Sequence, residues 1–243
     1  MRLFKYVIPE RIDILETQRI AFSPPENFND VMDSRLKVVP MTSRTVLKRK
    51  AKEADAKVLK EMPAEFHALP RSERRKVERD LLKGSVAHLK KIAKPFAEKL
   101  QSDIYAEVNQ RFCVLCLTTN PDHELMWGHY ADGHRGFVIE LDASNRRFSH
   151  PGILHKMIYS ETPPTYDPAI GSDEWWKIKS IVWEYEDEYR VVSGIADCEK
   201  KICGGRAVYF RHLPHECIKA IYLGFHVIFA EDVLERVCFH FVG

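Results

Sequence analysis

Trp183-Glu184-Tyr185-Glu186-Asp187-Glu188-Tyr189-Arg190-Val191-Val192 alternates charge with bulk, except at Asp187. A period of two is the mark of a β-strand, because successive side chains leave opposite faces. As a strand, the stretch puts Glu184, Glu186, Glu188 and Arg190 on one face. It turns Trp183, Tyr185, Tyr189 and Val191 into a core. Stacking carboxylates on one face costs free energy unless water or cations screen them. Two readings stay open. One is a half-buried strand with a wet, charged face. The other is a cleft in which one Glu carries a raised pKa and orients a substrate hydroxyl or stabilises a cation.

Further strand signals lie on both sides of this stretch. Residues 2–8, Arg19–Phe22, Cys113–Thr118, Gly136–Leu141, His155–Tyr159, Ala207–Phe210 and Ile218–Leu223 are apolar or β-prone runs ended by turn residues. Pro9–Ile14 reads as a turn into a short helix. Asn120-Pro121 reads as a helix start, with Asn as cap and Pro at the first position. That helix carries Leu125, Met126, Trp127 and Tyr130 and ends near Gly133. Trp175–Lys179 and Ala230–Val237 also read as helix, Pro214–Glu216 as a helical turn, and Thr162–Pro168 as a loop. Strands alternating irregularly with helices predict an α+β protein.

Residues 43–107 differ in character. They are rich in Lys, Arg, Glu, Ala and Leu, and Val77, Leu81, Leu82, Val86, Leu89, Ile92 and Phe96 fall mostly at helical spacings. Two or three amphipathic helices are predicted, punctuated by Pro63, Pro70 and Pro95. The organisation expected is one α+β domain, residues 1–36 and 108–243, carrying a basic helical insertion over 37–107.

The formal charge of the 243-residue chain is +2, which at first argues against a polyanionic partner. The average hides an asymmetry. Arg44–Leu100 holds 17 Lys and Arg against 8 Asp and Glu, a net of +9, and the remainder is net −7. A solvated helical face and a contact for RNA or DNA through Arg74, Arg75 and Lys76 both account for the excess. A charged fraction of 30% with 45% hydrophobic residues excludes wholesale disorder. No apolar run approaches the ~20 residues needed to cross a bilayer, and no signal-peptide pattern opens the chain. A cytosolic protein is expected.

Six cysteines are then expected as reduced thiols. Cys113-x-x-Cys116 has zinc-like spacing, but on a strand these positions face opposite ways. Buried small hydrophobes are the expectation, and no metal site. Walker, dinucleotide-fingerprint, nucleophile-elbow and zincin motifs are absent from the sequence. A Glu pair two apart on one strand lies on one wall, which is poor geometry for glycoside hydrolysis. Trp127 and Tyr130, three apart on a helix, share a face and sit among glycines. They read as a core helix end or as a wall for a flat ring.

A set of motifs in order carries a resemblance. It comprises Phe4-Lys5-Tyr6, Phe22-Ser-x-Pro with Phe28-Asn29-Asp30, Met126-Trp127-x-x-Tyr130 followed by Gly136, Lys179-x-x-x-Trp183-x-x-Glu186-x-Glu188-Tyr189-Arg190, and Ile218-x-x-Ile221-x-Leu223-Gly224. Together these resemble the bacterial domain-of-unknown-function 2971 family, over nearly the whole chain outside the charged insertion. The layout is similar to that of the ADP-ribosyltransferase superfamily. The resemblance implies a small split or curved, antiparallel or mixed sheet with a cleft for NAD as substrate. It implies Glu188 as the catalytic carboxylate, Glu186 as an orienting or deprotonating group, and Tyr130 as the second-motif residue. Lys5, Tyr6, Trp127 and Arg190 would meet the nucleotide. The opening strand offers Lys5 and Tyr6 where the superfamily has His or Arg. The setting implied is a toxin or phage-defence effector acting on a nucleic-acid or protein acceptor. The rival expectation is a non-catalytic binder of nucleic acid or of a partner, acting through the basic helices.

Overall fold

The computed structural model describes residues 1–30, 33, 35–149, 153–168 and 174–227; the helix predicted over Ala230–Val237, and Cys238, lie outside these. The fold is α+β. The chain divides into two compact units. Met1–Arg35, Ala106–Pro163 and Trp176–Gly243 form one, and Leu36–Tyr105 with Pro164–Trp175 form the other. No helix among the described residues is long and apolar enough to cross a membrane.

In chain order, β1 (Arg2–Val7) leads through a 3-10 turn into α1 (Asp13–Thr17) and β2 (Arg19–Phe22). Then come β3 (Lys37–Val38), α2 (Arg44–Lys60), α3 (Ala64–Ala68) and the long α4 (Arg71–Arg111). Next are β4 (Phe112–Thr118), α5 (Glu124–Tyr130), β5 (Phe137–Asp142) and α6 (Arg146–Ser149). Short strands follow: β6 (Leu154–Lys156), β7 (Ile158–Ser160), β8 (Thr165–Tyr166) and β9 (Ile178–Ser180). The last are β10 (Glu188–Gly194), β11 (Glu199–Cys203), β12 (Arg206–His212) and β13 (Ile218–Leu223).

The first unit is built on a six-stranded sheet in the order β13-β5-β1-β4-β10-β6, with every pairing antiparallel. Alternation sends Leu3, Val7, Leu115, Leu117 and Val191 to one face, where they pack with Ile14, Ile20 and Phe22. Phe4, Tyr6 and Val138 go to the other, under Met126 and Trp127 of α5. The centre of the sheet is therefore covered on both sides. Each such side chain contributes roughly 1.5–3 kcal/mol by leaving water.

The sheet is split between β1 and β4. β1 pairs with β5 from Arg2↔Asp142 to Val7↔Phe137, and β4 pairs with β10 from Phe112↔Gly194 to Thr118↔Glu188. β1 and β4 share a single register pair, Phe4↔Thr118. Beyond it they diverge, and Ser23, just after β2, takes the freed edge of β4. Ser23 and Val114 exchange both backbone hydrogen bonds at 2.9 Å. Lys5 crosses the opening, its ammonium donating to the Cys116 carbonyl at 3.2 Å.

In the second unit β3 and β8 pair in parallel. Leu36, Val38 and Ala97 form its buried cluster, with Leu100, Ile104, Tyr166 and Trp175 packed against it. Asp55 of α2 is buried and accepts from the Ser85 hydroxyl of α4 at 2.6 Å, tying the two helices.

Several elements differ from the sequence expectation. Pro95 lies inside α4 and does not end it. An interior proline costs a helix ~3 kcal/mol; Ala93 and Ala97 on either side of it are buried. α5 starts at Glu124, not at Pro121, because the Asn120 side chain accepts the Asp122 N–H at 3.2 Å and closes a local turn first. Trp175–Lys177 is a single 3-10 turn and Ile178–Ser180 a strand. The predicted loop Thr162–Pro168 contains β8.

The largest correction concerns Trp183–Val192, which is not one strand. Ile181–Glu186 is a 3-10 helix, Asp187 takes a left-handed conformation with φ 37°, and β10 begins only at Glu188. Carboxylates two apart on a strand would stand ~7 Å apart. Here the break folds Glu186 back towards Glu188, so that one ammonium reaches both. Glu184 points to solvent and leaves the set. Asp187 is held by the Thr119 hydroxyl and by Lys156 at 3.0 Å.

Candidate active site

A cavity of about 240 Å³ opens at the split in the sheet. β1 supplies Phe4, Lys5 and Tyr6, β4 supplies Cys116 and Thr118, and α5 supplies Met126 and Tyr130. β9 and the 3-10 helix after it bring Lys179, Trp183 and Glu186, and β10 brings Glu188 and Arg190. Phe28, Asp30 and Asp33 come from the loop after β2.

The floor is a buried ionic network. Lys179 Nζ donates to Glu186 Oε2 at 2.5 Å and to Glu188 Oε2 at 2.8 Å, and stands 3.9 Å from Asp33 Oδ2. Arg190 Nε donates to Glu188 Oε1 at 2.8 Å, and its Nη2 to Asp33 Oδ2 at 2.5 Å. Tyr130 donates its hydroxyl to Glu186 Oε1 at 2.7 Å, and Thr118 donates to the Glu186 carbonyl at 2.5 Å. The Glu188 N–H donates to the Tyr159 hydroxyl at 2.8 Å. Arg190 lies over the Phe28 ring at 4.9 Å and Lys179 over Trp183 at 5.3 Å. Arg190 is only 1% exposed and Glu188 only 2%.

Burial so deep penalises charge, and only close partners reverse that penalty. Burial works to raise the Glu188 carboxyl, but Arg190 and Lys179 outweigh it and hold the group at about 2. Burial likewise works against the charged forms of Lys179 and Arg190. Glu188 leads the carboxylates that overcome it and push both cations up. The Tyr130 phenol is pushed up by burial and then by the adjacent Glu186. Burial, with Glu188 beside it, also raises the Cys116 thiol. At neutral pH the site therefore presents a fixed carboxylate, a protonated phenol and a protonated thiol.

The lining has a charge imbalance. Among the described residues, Lys5, Lys179 and Arg190 stand against Asp30, Asp33, Glu186 and Glu188, one carboxylate more than there are cations. Such a wall favours a positively charged ligand or a positive charge that develops during reaction.

Among the residues singled out from the sequence, Lys5, Tyr6, Tyr130, Glu186, Glu188 and Arg190 line this one cavity. Trp127 does not. It is buried behind the wall, edge-on to Tyr6 at 5.3 Å and stacked on His134 at 5.2 Å, where it fills core. Arg74, Arg75 and Lys76 are on α4 of the other unit. Consecutive helical residues point ~100° apart, so the three do not share a face. Arg74 is half-buried while Arg75 and Lys76 are exposed.

Asp33 and Lys179 hold the network together, and sequence reasoning assigned neither a role. Asp33 sits in a turn 157 positions from Arg190, with no periodicity to announce it. The signal for Lys179 was its place four residues before Trp183, which requires the strand–turn–strand path to be known. Cys113 and Cys116 face opposite sides of β4, the first in the core and the second in the cavity. No family model, curated protein or solved structure matches the chain.

Proposed function

We propose that this cavity binds the nicotinamide–ribose end of NAD and transfers the ADP-ribosyl group to an acceptor. The observation that carries the reading is Glu188, a carboxylate held ionised at about 2 in a cavity whose lining has one carboxylate more than cations. The split sheet, the motif order of the sequence and the aromatic rings of Phe4, Phe28, Tyr130 and Trp183 around the cavity support it. The volume suits a ring and a sugar. NAD brings a glycosidic bond already weakened by the positive charge on its pyridine ring.

The bond between ribose C1′ and the pyridine nitrogen breaks, and its electron pair leaves with nicotinamide. Positive charge moves to the ribose. Glu188 offsets that charge electrostatically, and its bonds to Arg190 and Lys179 fix its position. It acts as a charge, since a group that titrates near 2 is a poor base at neutral pH. Tyr130 and Glu186, joined by a hydrogen bond, orient a hydroxyl of the sugar or of the acceptor. The acceptor nucleophile attacks C1′ and gives up its proton to Glu186.

Released nicotinamide tests the reading. Wild type with NAD and mixed acceptors is expected to release it, Tyr130→Phe to be slower by about tenfold, and Glu188→Gln by about 10²–10³-fold, the usual loss on removing one electrostatic stabiliser. No release from folded wild type, together with no NAD-dependent rise in melting temperature, overturns the reading.

A second reading rests on α4. Lys76, Arg79, Lys83, Lys90 and Lys94 are all exposed. At ~100° per residue they fall within a sector about 60° wide. This stripe, not the consecutive Arg74, Arg75 and Lys76, is the surface suited to phosphates of RNA or DNA.

A further inference from the structure

We propose that Cys113 and Cys198 form a reversible intramolecular disulfide that ties the three-stranded sheet to the six-stranded one. Their sulfurs stand 3.5 Å apart, in van der Waals contact, although the residues are 85 positions apart in the chain. A bond needs the sulfurs to approach by about 1.5 Å, to ~2.05 Å. Cys113 belongs to β4 in the middle of the core and is inaccessible. Cys198 caps the 3-10 turn Ile195–Asp197 just before β11, half-buried at the edge of the same core. One sulfur is thus rigid and hidden, and the other sits on a turn within reach of solvent. Cys198 lies on the turn, outside the β11–β12 ladder.

The neighbours are polar. The Cys198 thiol donates to the Gly194 carbonyl at 3.3 Å, and its sulfur is 3.6 Å from the Ser193 hydroxyl. That hydroxyl in turn accepts from Arg211 at 3.0 Å. Burial pushes the Cys113 thiol up, with the nearby Cys198 adding to the effect and Arg211 opposing it. The thiol that meets an oxidant first is therefore Cys198. With a hydroperoxide, Cys198 sulfur attacks the peroxide oxygen, becomes a sulfenic acid and releases water or an alcohol. Cys113 sulfur then attacks the Cys198 sulfur. The S–O bond breaks and hydroxide leaves with the Cys113 proton as water. Two thiols lose two electrons in all, and the peroxide gains them. A dithiol reverses the step by exchange.

The link would join β4 of the six-stranded sheet to the first residue before β11 of the β11-β12-β2 sheet. It lies on the core face of β4, away from Cys116 and the cavity. It does not depend on the transferase reading. The test is hydrogen peroxide added to folded full-length protein, followed by intact mass and peptide mapping without reductant. Expected is a loss of two hydrogens, a Cys113–Cys198 linked peptide, and a melting temperature higher by ~5 °C or more that dithiothreitol abolishes. Cys198→Ser should lose the link, and Cys203→Ser, altered at an exposed thiol, should keep it. A folded protein that gives only a sulfinic or sulfonic acid at Cys198 overturns the proposal. So does a loss of two hydrogens that persists in Cys198→Ser, which would place the disulfide elsewhere.

Discussion

At the scale of single residues, the network around Glu188 sets both stability and chemistry. The Glu188 carboxyl falls from an ordinary 4.5 to about 2 in the folded chain. The unfolded chain therefore binds the proton more readily, and the group stabilises the fold at pH values above its unfolded pKa. That contribution is lost as pH drops from about 4.5 through about 2, and the shift corresponds to roughly 3 kcal/mol. Lys179 behaves in the opposite sense. Its pKa is raised in the fold, so its contribution is complete below the ordinary lysine range and is lost only at strongly alkaline pH. Denaturant unfolding between about pH 2 and pH 6 is expected to show this acid slope in wild type and to show it flattened in Glu188→Gln. Lys179→Met is expected to cost ~3–5 kcal/mol at neutral pH, because it leaves Glu186 and Glu188 sharing a buried space without their common cation. An unchanged unfolding midpoint in Lys179→Met would remove the network from its central place. The Glu residues were legible in the sequence as an alternation of charge. Their partners were not, because Lys179 and Asp33 meet them only after the chain has turned back on itself.

At the scale of elements, two glycines show how differently the same residue is used. Gly84 lies inside α4, and a methyl group added there would meet nothing within 4 Å. Gly136 precedes β5, and a methyl group there would lie 2.0 Å from the Val7 carbonyl oxygen of β1. Gly84→Ala is expected to stabilise the protein by about 0.5–1 kcal/mol, the helix-propensity difference. Gly136→Ala must push β1 and β5 apart at Val7↔Phe137 and is expected to lower the melting temperature sharply. Thermal melts of the two variants, read by circular dichroism, check both signs. The strands β1, β2, β4, β5 and β13 were readable because their apolar runs are short, β-prone and ended by turn residues. The break at Asp187 was not readable. Apart from Asp187, charge alternates from Trp183 to Val191 as it would in a strand, and the contacts that hold the bend, from Thr118, Thr119, Lys156 and Lys179, all come from other parts of the chain.

At the scale of the whole molecule, the near-zero net charge is the sum of a basic helical stretch and an acidic remainder. If the α4 stripe meets phosphates, binding of duplex RNA or DNA weakens with salt. Replacing Lys83, Lys90 and Lys94 by Gln should then reduce the slope of log K against log salt, by up to about 0.9 for each phosphate left without its lysine. A slope that is the same in the triple variant would show that the stripe is only a solvated face. Glu188→Gln is expected to leave this binding intact, since it alters a group of the other unit.

The sequence by itself determined the α+β class, the helical character of the basic stretch and most strand positions. These follow from local periodicity and turn chemistry, which act over a few residues. Only the tertiary structure decided which charges are buried, that the sheet is split between β1 and β4, and that Lys5, Tyr130, Glu186, Glu188 and Arg190 line one cavity while Trp127 does not. The physical reason is the range of the forces. Propensity is a property of neighbours along the chain. The protonation of a carboxyl is set by distances in space and by the water excluded around it. For Glu188 those distances run to Arg190 and Lys179, and through Arg190 to Asp33 in the loop after β2.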